Sequence, residues 1–369
     1  MPVKSFEQLN PATDVTTTRT MLHEVLPVTG VIVSGTYGTF PDDTNVKNYT
    51  HGMFQSVYDY PTLSSSANHL FDATTGISSQ SALSASGVTM MSKKMNMYNE
   101  FAQVLLGYSG STGAVRSFES DLKLDQVGKM KDVFIISLSR LLIKDEIKKN
   151  TVTLQLCSGA WGAACTDSII TLTDRDARVN GDGVANAAGG DYGVLYRNDR
   201  GPSHPGLNQG YGVVFYQAGV LVVSSSVFAL SRSATEPPIP SFYKITRPSP
   251  GTATTYNTRQ ALQSGSISGT IDALRHRIKN LTFNNTTEIN STIYFCRAPT
   301  HKFNYSSNPT YVKDSKIRIK NIAADPPISY ITTVGLYNQQ NELMAVAKLS
   351  EPLRKSIDNE LTIRVRLDY

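Results

Sequence analysis

Short runs of alternating apolar and polar residues recur along this chain, and alternation with a period of two is the pattern of a β-strand. The clearest run is LTIRVRLDY at 361–369. Its apolar members fall on one side of the strand: Leu361, Ile363, Val365, Leu367 and Tyr369. A strand at a chain terminus frays unless it is paired. We therefore expect this strand to pair, either with the hairpin predicted at 330–349 or with a neighbouring subunit.

That hairpin is predicted by YITTVGLYNQQNELMAVAKL at 330–349. Two apolar-rich runs, 330–337 and 343–349, flank the polar tetrad Asn338 to Asn341. β-favouring residues on either side of a short polar loop indicate two antiparallel strands joined by a turn.

Further strands are predicted in the centre of the chain. The run 133–138 is almost wholly apolar, as in a buried strand, and SIITLTD at 168–174 and DYGVLY at 191–196 follow. The stretch 211–230 predicts a strand pair that turns at Gln217 to Gly219. Many short strands separated by turns predict a mainly β fold of antiparallel, sandwich-like domains with a few helices, not a parallel α/β sheet.

Two helices are predicted among these strands. Apolar residues recur at helical spacing from Met91 to Leu105, with Thr89 or Ser92 as the capping residue and Gly107 as the end. The second helix has an apolar face: Ile267, Ile271, Leu274 and Ile278. The methionines of the first helix, Met91 and Met95 among them, suit an adaptable interface. The alternative is that this helix packs on its own domain.

The same pattern divides the chain into four parts. Residues 1–88 are rich in irregular, serine-containing sequence and are predicted to form an extended arm, because long structureless spans tend to be functional or to order against a partner. Residues 89–235 are predicted to form a β-rich domain with an N-terminal helix. Proline and glycine mark 236–258 as a linker. Residues 259–369 then form an α+β domain.

Composition changes this picture little. Charged residues are 18% of the 369-residue chain, and the net charge is only +5. Basic residues such as Lys144 and Lys148 lie among acidic ones, so no basic face for nucleic acid is predicted. The N-terminus lacks the apolar core of a signal peptide, and no apolar run is long enough to span a bilayer. We expect a soluble protein made in a cytoplasm.

Catalytic chemistry is not indicated. The sequence has no GxSxG, HExxH, Walker A or strand-linked GxGxxG motif, and its six histidines are dispersed. Cys157 and Cys165 could bridge the loop between them, but the odd total of three cysteines favours free thiols, Cys296 included. We predict no catalytic residue and no cofactor.

One segment, DRDARVNGDGVAN at 174–186, has the oxygen-rich composition of a cation loop. Its register does not fit calcium, because aligning Asn180 and Asp182 with the third and fifth loop positions puts Arg178 at the first. The favoured interpretation is an exposed turn. The weak metal candidates are Asp174, Asp176, Asn180 and Asp182.

Several segments resemble structural proteins of contractile-tailed bacteriophages, of the T4-like cyanophage and jumbo-phage type. FNYSSNPTYV at 303–312, the hairpin extended to 356 and ELTIRVRLDY at 360–369 are similar to the C-terminal region of such proteins. The hairpin pattern VGLYNxxxELxAVAKL is also similar to tail-collar and baseplate proteins. The central segments 132–156 and 211–225 are likewise similar to virion proteins.

The resemblance covers about half of the chain and implies a virion structural protein of the viral tail, in the baseplate or neck, that acts by assembly. The implied partners are other tail subunits, with further copies of this chain, and not nucleic acid or a membrane. The candidate assembly contacts are Met91, Met95, Leu361, Ile363, Val365 and Leu367. The alternative function is a host-recognition module that binds surface glycans, because the chain has 18 tyrosines and aromatic rings stack on sugars. A depolymerase is a third possibility.

Overall fold

The computed structural model describes residues 6–27, 43–85, 87–110, 112–159, 169–177, 183–198, 209–228, 243–246, 253–306, 312–313, 316–317, 324 and 326–369. It is 47% strand and 17% helix with large antiparallel sheets, which confirms the mainly β prediction. The chain forms two compact units. Unit 1 comprises Met1–Leu22 and Glu288–Tyr369, and unit 2 comprises His23–Thr287.

The strands lie in the following order: β1 (Val15–Pro27), β2 (Val46–Asn48), β3 (Gln55–Tyr58), β4 (His69–Ile77), β5 (Asp132–Leu138), β6 (Glu146–Ile147), β7 (Thr153–Cys157), β8 (Ile169–Thr173), β9 (Val184–Ala187), β10 (Gly190–Arg197), β11 (Gly210–Phe215), β12 (Val220–Ser224), β13 (Tyr243–Thr246), β14 (Ala253–Tyr256), β15 (Ile278–Ala298), β16 (Val312–Lys313), β17 (Lys316–Ile317), β18 (Ile328–Tyr337), β19 (Leu343–Ser356) and β20 (Leu361–Asp368). The described helices are α1 (Thr89–Leu106), α2 (Arg140–Ile143), α3 (Thr258–Ser264) and α4 (Ile267–Arg277), with 3-10 turns at Asp43–Asn45 and Ser225–Phe228.

Unit 2 is built on one antiparallel sheet in the order β15-β7-β8-β10-β11-β12-β5-β4-β3-β2. Its central strands are buried on both faces. In β5, Phe134 and Ile136 point into one apolar cluster, and Val133 and Ile135 point into another on the opposite face. The almost wholly apolar run at 133–138 therefore follows from burial of both faces of β5, since a strand that is buried on one face only would alternate apolar and polar residues.

The helix α1 contributes to both clusters, since Met91 and Met97 lie in the first. Tyr98, Ala102 and Leu105 of α1 lie in the second cluster. The first cluster joins strands from both ends of the sheet, such as Phe71 of β4 and Leu154 of β7, together with residues of α3 and α4. The sheet thus packs against itself around this cluster, in a sandwich-like arrangement.

A buried lysine joins α1 to α3. Lys94 has no exposed surface, and its Nζ donates to the carbonyls of Leu262 and, at 2.7 Å, Gly265. These carbonyls lie at the C-terminal end of α3, where unpaired acceptors and the negative end of the helix dipole favour a cation. Burial nevertheless lowers the pKa of Lys94 to about 8.

In unit 1, β20 pairs with the C-terminal part of β15, from Ser291↔Asp368 to Ala298↔Leu361. β18 and β19 form a two-stranded sheet of their own. The terminal strand is therefore paired within the chain, but the prediction of its partner was wrong. The long strand β15 takes that place because it continues beyond its pairing with β7 and offers a free edge there.

Several predicted elements are confirmed: strands β5, β8, β10, β11 and β12, helix α1 ending at Gly107, and the helix that begins at Ile267. The inclusion of Ile278 in that second helix was wrong, because α4 ends at Arg277 and Ile278 begins β15. The capping prediction was wrong. Val88 precedes the first turn of α1, and no side chain caps that turn.

The domain boundaries differ from the predicted ones. Residues 43–85 are not an arm, because β4 pairs with both β3 and β5, and Phe71 and Ile77 lie in the core. Within the predicted linker 236–258, β13 pairs with β14. The helices α3 and α4 belong to unit 2, so the division falls inside β15 and not at 258/259. The arm's residues 1–5 and 28–42 lie outside the described residues.

The cysteine prediction also needs correction. Cys157 is disulfide-bonded, whereas Cys296 is free. Cys157 ends β7 and pairs with Ile169 at the start of β8, so the two ends of the connecting loop lie side by side. Cys165, which follows in this loop, lies outside the described residues.

A glycine at the start of β11 provides a test of this packing. A Cβ on Gly210 would lie 1.9 Å from the carbonyl oxygen of Ser120, in the segment that covers the second cluster. Gly210→Ala should therefore lower the free energy of unfolding by about 2 kcal/mol or more, since neither backbone can yield cheaply. Urea denaturation followed by circular dichroism measures this loss.

Gly110→Ala is the matched control, because nothing lies within 4 Å of a Cβ built there. It should change the free energy of unfolding by no more than about 0.5 kcal/mol. Equal stability of the two variants would contradict the packing of this segment on β11.

Candidate assembly surface

The hairpin β18–β19 is closed by a specific turn. The amide of Asn338 donates to the carbonyl of Glu342 at 3.0 Å, and the Glu342 amide returns a bond to Asn338 Oδ1 at 2.8 Å. Asn341 adopts a φ of 60°, a left-handed conformation that asparagine tolerates better than most residues. The polar tetrad predicted as the turn has this role, which confirms the predicted hairpin.

The hairpin carries more exposed apolar surface than its pattern predicts. Six large apolar side chains are between 37% and 69% exposed: Tyr330, Tyr337, Leu343, Met344, Val346 and Leu353. Val334 and Leu336, which alternate with the exposed Gly335 and Tyr337 along β18, are only half-buried. Neither face of the ribbon is therefore covered as the faces of β5 are.

The base of the hairpin is held rigidly in unit 1. Lys355 is fully buried, and its Nζ donates to Asn304 Oδ1 at 2.7 Å and to the carbonyls of Ser356 and Thr300 at 2.7 and 3.2 Å. The hydroxyl of Ser329 donates to the carbonyl of Phe303. Burial lowers the pKa of Lys355, and the negative charge of Glu360 opposes that shift. The exposed part of the ribbon thus starts from a fixed anchor.

The N-terminal segment also reaches the hairpin. The ring of Phe6 meets the ring of Tyr337 edge-to-face at 5.1 Å, and Glu7 pairs with Lys302 at 2.5 Å. Phe6 and Tyr337 both remain more than a third exposed. They extend the apolar surface of the ribbon, which we call the hairpin surface: Phe6, Tyr330, Tyr337, Leu343, Met344, Val346 and Leu353.

The predicted assembly contacts lie mostly elsewhere. Met91 is only 2% exposed and lies in the core of unit 2, and Met95 is partly buried against that core. Val365 is buried in unit 1, while Leu361, Ile363 and Leu367 are half-buried. This placement of α1 matches the alternative in which the helix packs on its own domain. A role of these residues in assembly stays a prediction.

The sequence analysis did not identify the hairpin surface, although an irregular apolar run in β19 indicates it. The run LMAV at 343–346 departs from strict alternation because β19 carries a bulge there. Leu336 pairs with Ala345 and Tyr337 pairs with Leu343, so Met344 is the extra residue. Two adjacent apolar residues, Leu343 and Met344, are consequently both exposed. Consecutive exposed apolar residues in a strand indicate a contact surface.

The first of the metal candidates has a structural environment. The buried carboxylate of Asp174 accepts from the amides of Asn150 and Val152 at 2.7 and 2.9 Å and from the Tyr216 hydroxyl at 3.1 Å. Burial raises the pKa of Asp174, and these three donors oppose the rise. Its oxygens are thereby committed to joining β7, β8 and the end of β11.

The other metal candidates do not converge on Asp174 in the described residues. The Asp176 side chain is largely exposed and lies 3.7 Å from Arg175, and Asn180 and Asp182 lie outside the described residues. Within the described ranges, no group of three or more His, Cys, Asp or Glu side chains is placed to hold a metal ion. None of the helices described there has the length and apolar character needed to cross a membrane.

The nearest approach to a catalytic constellation is Ser56, His69 and Asp72. Asp72 Oδ1 accepts from the Ser56 hydroxyl at 2.5 Å and lies 2.9 Å from His69 Nε2. Nucleophilic catalysis needs the imidazole against the hydroxyl so that it can remove the proton. Here the carboxylate lies between them, so the imidazole does not activate Ser56.

Substitution of Tyr216 tests the structural role of Asp174. Tyr216→Phe removes a hydroxyl donor to a buried carboxylate, so we expect a loss of about 1–3 kcal/mol in the free energy of unfolding. The control is Tyr192→Phe, which removes a bond to the neutral carbonyl of Leu122 at 3.1 Å and should cost less. Urea denaturation of both variants measures the difference, and a smaller loss in Tyr216→Phe would contradict the role.

The loss should also depend on pH. The pKa of Asp174 is higher in the folded chain than in the unfolded chain, so the folded chain binds more protons at this residue. Stability therefore falls as pH rises from the unfolded-state pKa of Asp174 through its folded-state pKa. Removing a donor raises this pKa further. The penalty of Tyr216→Phe should therefore be larger at about pH 8 than at about pH 4.

Three comparisons of the chain with known proteins give no match. No family model matches it, and no curated protein and no solved structure matches it either.

Proposed function

We propose that this protein is a structural subunit that acts by assembly, and that the hairpin surface is its principal contact with neighbouring subunits. The particle we propose is the contractile tail of a bacteriophage, with the subunit in the baseplate or the tail–neck region of the virion. Further copies of this chain and other tail subunits are the proposed partners. The proposal requires no catalytic residue and no cofactor.

The exposure of the ribbon β18–β19 is the observation that carries this proposal. Among the described residues, the two strands pair only with each other, and six large apolar side chains are exposed along them. An isolated two-stranded ribbon is at best marginally stable in water. Contiguous exposed apolar surface is rare on proteins that work alone and usually marks a protein interface. A neighbouring subunit that covers the ribbon would satisfy both conditions.

The size of the ribbon indicates how a neighbour would bind. β18 has ten residues, so the ribbon is about 33 Å long and about 10 Å wide, and each face offers on the order of 300 Å². A stable interface buries about 800 Å² on each partner. One face is therefore too small, whereas two covered faces together with Phe6 approach this area. We infer that the ribbon inserts between neighbouring elements.

The assignment to a phage tail depends on the resemblance of the hairpin and of the segments at 132–156, 211–225, 303–312 and 360–369 to tail proteins. The assignment agrees with the structural role of the buried polar groups described above, whose hydrogen bonds join elements of the fold. The hydrogen bonds of Lys355 support the role of the ribbon as an interface element. They hold the base of the hairpin in place before docking, which limits the entropy that is lost on binding.

Charge placed on the hairpin surface provides the test. The double variant Met344→Glu and Val346→Glu should fold like the native chain, because both side chains are at least half exposed and Lys348 lies nearby on β19. Its incorporation into particles should fall about tenfold or more, since burying two carboxylates in an apolar interface is costly. Quantitative mass spectrometry of purified particles measures the number of copies.

Leu63→Glu is the matched control, because Leu63 is fully exposed in unit 2 and lies outside the hairpin surface. It should be incorporated as well as the native chain. Normal incorporation of the double variant, or the absence of the native chain from any particle, would contradict the proposal.

A further inference from the structure

A second surface lies on the edge of the unit 2 sheet. Five aromatic or imidazole rings gather on β3, β4 and the turn between β2 and β3: Tyr49, His51, Phe54, Tyr58 and His69. All five are half-buried or exposed. The opposite face of these strands lies in the core through Val57 and Phe71. Among the described strands, β2 is the last of the sheet path, and no described strand pairs with its outer side; we call this surface the edge surface.

Three of the rings form a compact platform. Tyr49 and His51 are stacked with centroids 5.2 Å apart and an interplanar angle of 9°. Phe54 lies 4.9 Å from Tyr49 and 5.0 Å from His51. The turn that carries them is fixed from outside, since Lys93 Nζ donates to the His51 carbonyl at 2.8 Å and Thr74 Oγ1 donates to the Met53 carbonyl at 2.5 Å. The platform is therefore preorganised.

A chain of polar groups continues from the platform along the strands. The hydroxyls of Tyr49 and Ser56 are 3.2 Å apart, and Ser56 donates to Asp72 Oδ1 at 2.5 Å. His69 bonds to the same oxygen, and its ring meets Tyr58 at 5.5 Å. Asp72 Oδ2 has no partner among the described residues, and the side chain is 37% exposed. This oxygen can still accept hydrogen bonds from a ligand.

We propose that the edge surface binds a neutral carbohydrate. A pyranose ring presents apolar C–H groups on its faces and hydroxyls around its edge, so it needs aromatic surface beside hydrogen-bonding groups. The platform of Tyr49, His51 and Phe54 supplies the first, and Asp72 Oδ2 with the imidazole of His69 supplies the second. Binding sites of this kind combine apolar walls with a few fixed polar groups.

Charge selects this ligand class over single-stranded nucleic acid, which also stacks on aromatic rings. Lys47, whose Nζ lies 5.2 Å from the Tyr49 ring centroid, would attract a phosphate. The register Lys47↔Ser56↔Asp72, however, places a carboxylate in the same cross-strand row. A phosphate backbone along this row would meet the negative charge of Asp72, whereas a sugar hydroxyl donates to it. The edge surface shares no residue with the hairpin surface, so a test of one proposal does not test the other.

Titration of the full chain tests the proposal. The probes are maltohexaose, cellohexaose and chitohexaose, followed by a wider array of neutral and acidic glycans and a thymidine oligonucleotide. We expect a neutral oligosaccharide to bind with a dissociation constant of about 1 mM or lower by calorimetry. Binding of acidic glycans alone, of the oligonucleotide alone, or of none of the probes would overturn the proposal.

Two variants locate the site. Phe54→Ala removes a ring of the platform, and Asp72→Asn replaces the free acceptor while keeping Oδ1 for Ser56 and His69. Each should weaken binding about tenfold, and both variants should remain folded by circular dichroism. The control Tyr108→Ala removes an exposed tyrosine of unit 2 outside this surface and should leave the affinity unchanged. Unchanged affinity in Asp72→Asn and Phe54→Ala would place the ligand elsewhere and overturn the assignment.

Discussion

The strands β5, β11 and β12 bury side chains on both of their faces, and the other layers of unit 2 depend on this burial. Every residue of β11 and β12 is buried, so each strand needs a cover on both sides. α1 covers the second cluster, and α3, α4 and strands from both ends of the sheet, together with Met91 and Met97 of α1, enclose the first. Full burial of one aliphatic or aromatic side chain contributes about 1.5–3 kcal/mol, which must offset the conformational entropy lost on folding. The free energy of unfolding thus depends on keeping both covers in place.

Buried polar groups then set the positions of these covers. Lys94 binds the carboxyl end of α3, Asp174 joins β7 to β8 and β11, and Arg277 Nη1 donates to the carbonyls of Cys157 and Gly159 at 2.7 and 3.1 Å. A buried charge is tolerated only where hydrogen bonds satisfy it. Because each of these side chains needs specific backbone partners, each admits one arrangement of the elements that it joins.

The sequence predicted those parts of the fold that follow from local periodicity. The alternation of β20, the apolar run of β5 and the turn of β18–β19 are all properties of consecutive residues. The prediction of an arm at 1–88 was wrong for residues 43–85. Short strands such as β3, with four residues, give too little periodic signal to be recognised, and nothing local shows that β3 pairs with β4. The partner of β20 was wrong for a related reason, since nothing local shows that β15 runs for 21 residues.

The surfaces were less predictable than the fold. Tyr49, Ser56 and Asp72 lie on different strands or turns, and only the pairing of β2, β3 and β4 brings them together. The residues of the hairpin surface were visible as apolar positions, but their exposure depends on the absence of a further strand over β18 and β19 in the described chain. Periodicity shows which residues share a face, and tertiary structure decides whether that face is covered.

Unit 1 differs from unit 2 in how its apolar residues are used: the apolar clusters of unit 2 are buried, whereas the hairpin surface is exposed, and we propose that a neighbouring subunit covers it. A subunit-resolved cryo-electron microscopy map of the proposed particle tests that claim most directly. The account predicts density from neighbouring subunits on both faces of the ribbon, in contact with Tyr330, Met344 and Val346. A ribbon that stays in solvent on both faces within the particle, with neighbours bound elsewhere on the chain, would contradict it.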